Sequence, residues 1–198
     1  MDYLDRYAVR GLAIALGLTC ISGIATVLAA DRPPEPLRKV SAPLSPTRGH
    51  EAKGTVTFEA VADGKVRISV EVANATPRSG HGFHIHERGD CSAPDAASAG
   101  EHFNPGKASH GGPRSADRHA GDLGNLTADD QGRVSTSFLV DGLSIGGAAP
   151  TNIVGRSVVL HSKPDDLRTQ PAGDSGSRIA CGVIGGWQAT SAGVVGDR

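Results

Sequence analysis

Alternation with a period of two most narrows what this chain can fold into. Val56, Phe58 and Ala60 alternate with Thr55, Thr57 and Glu59; beyond Asp63-Gly64, Val66, Ile68, Val70 and Val72 alternate with Arg67, Ser69 and Glu71. Successive side chains of an extended strand point to opposite faces, so each run buries one face, and the short turn makes the two a hairpin. The pattern returns at Val134, Thr136, Phe138 and Val140, after the turn residues Asp129-Asp130-Gln131-Gly132, and short apolar runs lie at Ser157 to Leu160 and Ile179 to Ile184. No stretch past His50 keeps a helical period. With 27 Gly, 12 Pro and 4% aromatics, the composition fits a turn-rich all-β domain built on small and β-branched residues. Two segments, Gly89 to Ala120 and Ser162 to Ser177, are too long to be plain connections, and loops of that length usually carry function.

The ends of the chain read differently. Arg6 and Arg10 precede an apolar run from Gly11 to Ala30 that closes on small residues, so residues 1–30 predict an export signal cleaved after Ala29 or Ala30, or a retained membrane anchor. Either one places the remainder outside the cytoplasm, periplasmic or extracellular. Lipid attachment at Cys20 is disfavoured, because Gly17, Leu18 and Thr19 do not form the usual Leu-small-small-Cys pattern. Residues 31–49, rich in Pro and charge, predict a flexible tether. The domain is expected from His50 to Arg198, ending in a short tail that carries Trp187. With Cys20 set apart, Cys91 and Cys181 form an even pair that predicts a disulfide in an oxidising compartment, against the alternative of two buried thiols. A net charge of −1 supplies no broad basic field, which excludes a nucleic-acid partner on electrostatic grounds.

Seven of the eight histidines fall between His81 and His161. In His84-Ile85-His86 the two imidazoles share one strand face while Phe83 and Ile85 point into a core. The long loop adds His102, His110, His119 and Asp122, and His161 ends the run RSVVLH. Imidazole suits zinc and copper alike, His with Asp is a zinc ligand set, and the number of ligands fits two metals. His81 reads as a hydrogen-bonded structural residue, and His50 has no assigned role.

The strings GFHIHERGDC, EHFNPGKASHGGP, DRHAGDLGN, VVLHSKPDDL and GSRIACGVIG resemble, in order and separation, those of the copper/zinc superoxide dismutases. Five segments spread over most of Gly82 to Gly185 make a far more specific signal than any single motif. The resemblance implies a Greek-key β-sandwich or flattened barrel of about eight antiparallel strands with two long functional loops. It implies copper at His84, His86, His102 and His161, and zinc at His102, His110, His119 and Asp122, with the His102 imidazolate shared. Asp165, chosen over Asp166 only by register, would accept hydrogen bonds from His84 and His110.

The activity implied is conversion of superoxide to oxygen and hydrogen peroxide by copper redox cycling, protecting the cell envelope. Arg178 would guide the anion from an exposed position, at little cost to stability if removed, and His102 would supply a proton. Three features depart from the common pattern. The segment from Asp166 to Arg178 is short. Ala172 stands nearest to a channel threonine. Cys91 follows directly on Gly-Asp, as in certain exported bacterial members. A homodimer stays open, since no dimer surface is legible. A copper carrier of the same fold tends to lose copper-site histidines or to add a Cys-X-X-Cys metal domain, and a zinc-only adhesion domain would not need a second histidine site; neither describes this chain.

Overall fold

The computed structural model describes residues 39–185. The predicted signal or anchor, Cys20 and the tail with Trp187 lie outside the described residues. Eight strands form: β1 (Lys39–Pro46), β2 (Lys53–Ala60), β3 (Val66–Ala73), β4 (Gly80–His86), β5 (Asp122–Thr127), β6 (Val134–Val140), β7 (Ser157–His161) and β8 (Arg178–Val183). All pair antiparallel in the order β5-β4-β7-β8-β1-β2-β3-β6. The connection after β3 leaves for β4, and β6 returns to β3; β7 likewise returns to β4. These crossings between the two halves are the Greek-key feature and leave only β5 and β6 as facing edges of a nearly closed barrel.

The predicted hairpin is β2–β3, paired without a break from Lys53↔Ala73 to Ala60↔Val66. Val56, Phe58, Ile68 and Val70 are fully buried, and so are Phe83, Ile85, Leu160 and Ile184 from the other half. These side chains fill the space between the two faces and supply most of the apolar burial that holds them together.

The expectation of a tether running to Gly49 is corrected by β1. Val40, Ala42 and Leu44 enter the core in alternation with Lys39, Ser41 and Pro43. The period of two was present in the sequence, but Pro43 and Pro46 masked it. A proline is tolerated in a strand where one side has no ladder to serve. β1 meets this condition: it pairs β2 from Lys39 to Leu44, while β8 joins it only at Ser45 and Pro46. Through that switch of partner β1 joins the two halves of the barrel.

Cys91 and Cys181 are joined by a disulfide across a sequence separation of 90, tying the loop after β4 to β8. Val159, Ala96 and Ala99 pack around it. A crosslink over so long a loop restrains the unfolded chain by about 4–5 kcal/mol. Reduction should therefore lower the melting temperature by roughly 10 °C, read by calorimetry with and without reductant. An unchanged transition in demonstrably reduced protein would contradict this role.

Candidate metal centre

β4 is buried along almost its whole length, on both faces. Phe83 and Ile85 point into the barrel core, and His84 and His86 point the other way, beneath the loop that follows. That loop lies down on β4 as a short, irregular extra strand. Glu87 N–H donates to Glu101 O at 2.9 Å, Phe103 N–H to Ile85 O at 2.8 Å, and Ile85 N–H to Gly121 O at 2.9 Å. The resulting bridge between His86 and His102 delivers a loop histidine to the strand pair. His161, ending β7 next to β4, completes the group. The His84 ring centroid lies 4.0 Å from that of His102 and 4.9 Å from that of His161, and His86 is 5.0 Å from His102.

A second group adjoins the first through His102. His110 and His119 come from the same loop, and Asp122 opens β5. Asp122 Oδ1 lies 2.8 Å from His102 Nδ1, 3.1 Å from His110 Nδ1 and 3.2 Å from His119 Nδ1. Tetrahedral zinc with bonds of about 2.0–2.1 Å separates its ligand atoms by roughly 3.3 Å, so the spacing suits such an ion. In each group the ligand atoms lie within 4.8 Å of one another.

The chemistry of the free atoms tests whether metals fit. Among the described residues, the buried side-chain polar atoms without a partner are Ser157 Oγ and six imidazole nitrogens: His84 Nδ1, His86 Nε2, His102 Nε2, His110 Nδ1, His119 Nδ1 and His161 Nε2. An unmet buried polar atom costs about 1–3 kcal/mol, and all six of these belong to the two groups. The opposite ring nitrogens are mostly engaged. His84 Nε2–H donates to Asp165 Oδ2 at 2.8 Å, His110 Nε2–H to Asp165 Oδ1 at 3.0 Å, His86 Nδ1–H to Gly100 O at 2.9 Å, and His161 Nδ1–H to Gly176 O at 3.4 Å. A proton held on one nitrogen leaves a lone pair on the other, aimed at the centre, so the residues fit two metal ions.

Electrostatics favour the same state. Burial, then the neighbouring His102 and His161, holds His84 and His86 well below the usual imidazole range; burial and then His102 bring His161 to about 3. These rings are neutral at physiological pH, as a metal ligand must be. Burial would raise Asp122, but hydrogen bonds from His102 and from Gly111 N–H outweigh it and hold the carboxylate below its ordinary value.

Asp165, not Asp166, spans the two groups; Asp166 instead accepts hydrogen bonds from Thr169 at the surface. His81 Nδ1–H donates to His161 O and its Nε2 bonds Ser79 Oγ, both at 2.8 Å, and the residue stands outside both groups, as expected of a structural histidine. His50 is exposed and lines a cleft beside Arg178. Arg178 departs from expectation. It is half-buried, and its guanidinium donates to Ala96 O at 2.5 Å and Gly100 O at 2.6 Å. It thus shares the Gly100 carbonyl with His86.

A cleft of about 310 Å³ opens over His86, His102 and His161, walled by Arg178, Glu101 and Asp174. Sequence reasoning missed those two carboxylates. It also missed Asn125, whose carboxamide donates to Asp165 O at 2.8 Å and accepts from Asp165 N–H at 2.7 Å. Glu101 and Asp174 lie in loops, and Asn125 is a lone carboxamide within β5, so none carries a periodic signal that would have found it.

The model of the copper/zinc superoxide dismutase family matches residues 52–184, about two-thirds of the chain. The chain belongs to this family. The Cu-Zn superoxide dismutase of Paramecium bursaria Chlorella virus 1 is 43% identical over 139 residues, covering 67% of this chain and 72% of the viral one. That of Saccharomyces cerevisiae is 42% identical over 139 residues, covering 67% and 88%. A crystal structure of the clock protein EA4 superposes with a TM-score of 0.68 at 40% identity, covering 76% of this chain and 94% of that one. The chain is therefore a superoxide dismutase with copper and zinc as cofactors and superoxide as substrate.

Proposed function

We propose that copper is held by His84, His86, His102 and His161, zinc by His102, His110, His119 and Asp122, and that the enzyme consumes superoxide outside the cytoplasm to protect the cell envelope. The observation that carries the metal assignment is His102, whose Nε2 faces the all-histidine group and whose Nδ1 faces the group containing Asp122. Carboxylate with imidazole suits zinc, and imidazoles alone facing an open cleft suit a redox copper. When bound there, copper would supply a one-electron couple able to take an electron from one superoxide and return it to a second, which with two protons leaves as hydrogen peroxide.

The protein's own groups do the rest. Asp165 fixes the His84 and His110 rings from one carboxylate, and Gly100 O fixes His86. The cleft, about 310 Å³, has ample room for a diatomic anion beside His86, His102 and His161. Arg178 gives its wall a permanent cation beside His161, opposing Glu101 and Asp174. His102 Nε2, on a ring that lines the cleft, is the atom placed to hold a proton and pass it to the reduced product.

The disulfide and the apolar run from Gly11 to Ala30 support the compartment, with that run either cleaved or kept as a tether. Fractionation of the native host, with thiol labelling of Cys91 and Cys181, tests it. The enzyme should appear outside the cytoplasm with both thiols oxidised. Cytoplasmic protein with free thiols would overturn the location.

A further inference from the structure

The β7–β8 connection does more than supply Asp165. His110, a ligand in the proposed zinc centre, sits in a loop without regular structure, and among the described residues neither its N–H nor its C=O makes a bond to another backbone group. Both are met by one side chain. His110 N–H donates to Gln170 Oε1 at 2.8 Å, and Gln170 Nε2–H donates to His110 O at 2.9 Å. The orientation of the carboxamide is fixed by its partners, since a peptide N–H only donates and a peptide carbonyl only accepts.

Three residues on, Gly173 adopts φ +68°, and a Cβ there would overlap Asp165 Oδ1 and approach His110 Nε2 to 2.7 Å. The chain segment from Gln170 to Gly173 therefore lies directly on the hydrogen bond between Asp165 and His110. Asp165 holds the ring of His110 and Gln170 holds its backbone. Together they fix the direction of Nδ1, the atom turned toward Asp122 Oδ1 3.1 Å away.

We propose that Gln170 is a positioning residue of the zinc centre, setting the backbone of His110 through its paired hydrogen bonds; this rests on the reading of that group as the zinc site. Groups that orient a metal ligand typically contribute ten- to a hundredfold in metal affinity. Gln170 is exposed at the loop surface, so its replacement should leave the barrel folded.

The test compares Gln170→Ala and Gln170→Met, which keeps the bulk but loses both hydrogen bonds, with Thr169→Ala, which loosens the same loop away from His110. Zinc affinity is read by competition with a chromophoric chelator, and site geometry by the visible spectrum of cobalt(II) loaded in place of zinc. Both Gln170 variants should bind zinc about tenfold more weakly and shift the cobalt bands, while Thr169→Ala behaves as the parent. Parental affinity in Gln170→Ala would overturn the proposal. So would parental affinity in Gln170→Met alone, which would reduce the role to packing, or an equal loss in Thr169→Ala, which would reduce it to general loop order. A parent that binds neither zinc nor cobalt would instead overturn the zinc-site reading on which the proposal rests.

Discussion

Superoxide consumption should fall by about a thousandfold or more in His161→Ala, a loss of ~4 kcal/mol or more in barrier lowering, while zinc stays bound. His161 belongs to one metal group only, and none of the atoms around Asp122 Oδ1 comes from it. Its loss leaves three imidazoles on the cleft side and should release copper. The backbone carbonyl of residue 161, which His81 Nδ1 bonds at 2.8 Å, survives the substitution, so the local strand geometry is kept. Metal content and turnover measured on one preparation check this. Full activity in a folded His161→Ala protein would place the redox centre elsewhere, and loss of zinc together with copper would show that the two groups are not separable in the way their ligands suggest.

Arg178→Ala should slow superoxide consumption by about tenfold or more, at least ~1.4 kcal/mol, and Arg178→Glu should be slower still. The cleft carries Glu101 and Asp174 against this one cation, and with a net charge of −1 the chain has no broad positive field to compensate. Attraction of the anion beyond the metals therefore depends on Arg178. Added salt should slow the parent by screening that charge and should affect Arg178→Ala less. The expectation that its loss would spare stability is corrected by the two hydrogen bonds to Ala96 O and Gly100 O. Bonds from a charged donor contribute about 1.5–3 kcal/mol each, so Arg178→Ala should also melt at a lower temperature. Because Gly100 O also orients His86, copper content must be measured beside the rate. Undiminished turnover in Arg178→Glu with copper bound would show that the anion is guided by another group.

Most of the barrel could be read in the sequence because a half-buried strand writes its two faces into alternate residues. β2 and β3 show this plainly, β6 buries only Val134 and Val140 of its expected face because Thr136 is exposed and Phe138 partly so, and β7 and β8 appear as short apolar runs. β1 escaped because two prolines interrupt an otherwise regular alternation. β5 escaped because Asp122-Leu-Gly-Asn mixes a ligand and a carboxamide into the strand, and its partner β4 shifts register between Gly82 and His84. At the site, histidines and one aspartate announce themselves by residue type, whereas their orientation does not. The choice of Asp165 over Asp166, the Gly100 carbonyl under His86, and the carboxamides of Asn125 and Gln170 depend on how loops fold back over β4. Loop paths follow from many weak polar contacts, and no periodicity encodes them. Arg178 was legible as a cation near the all-histidine group, but its bonds to loop carbonyls were not.

His102 belongs to both four-residue groups, so seven side chains can make two four-ligand centres only if two metal ions share it. Elemental analysis of protein stripped of metal and reloaded with copper and zinc together tests it most directly. One copper and one zinc per chain is the predicted result, with His102→Ala losing both in part because each centre forfeits a ligand. Zinc alone after copper loading, or full retention of both metals in His102→Ala, would contradict the account.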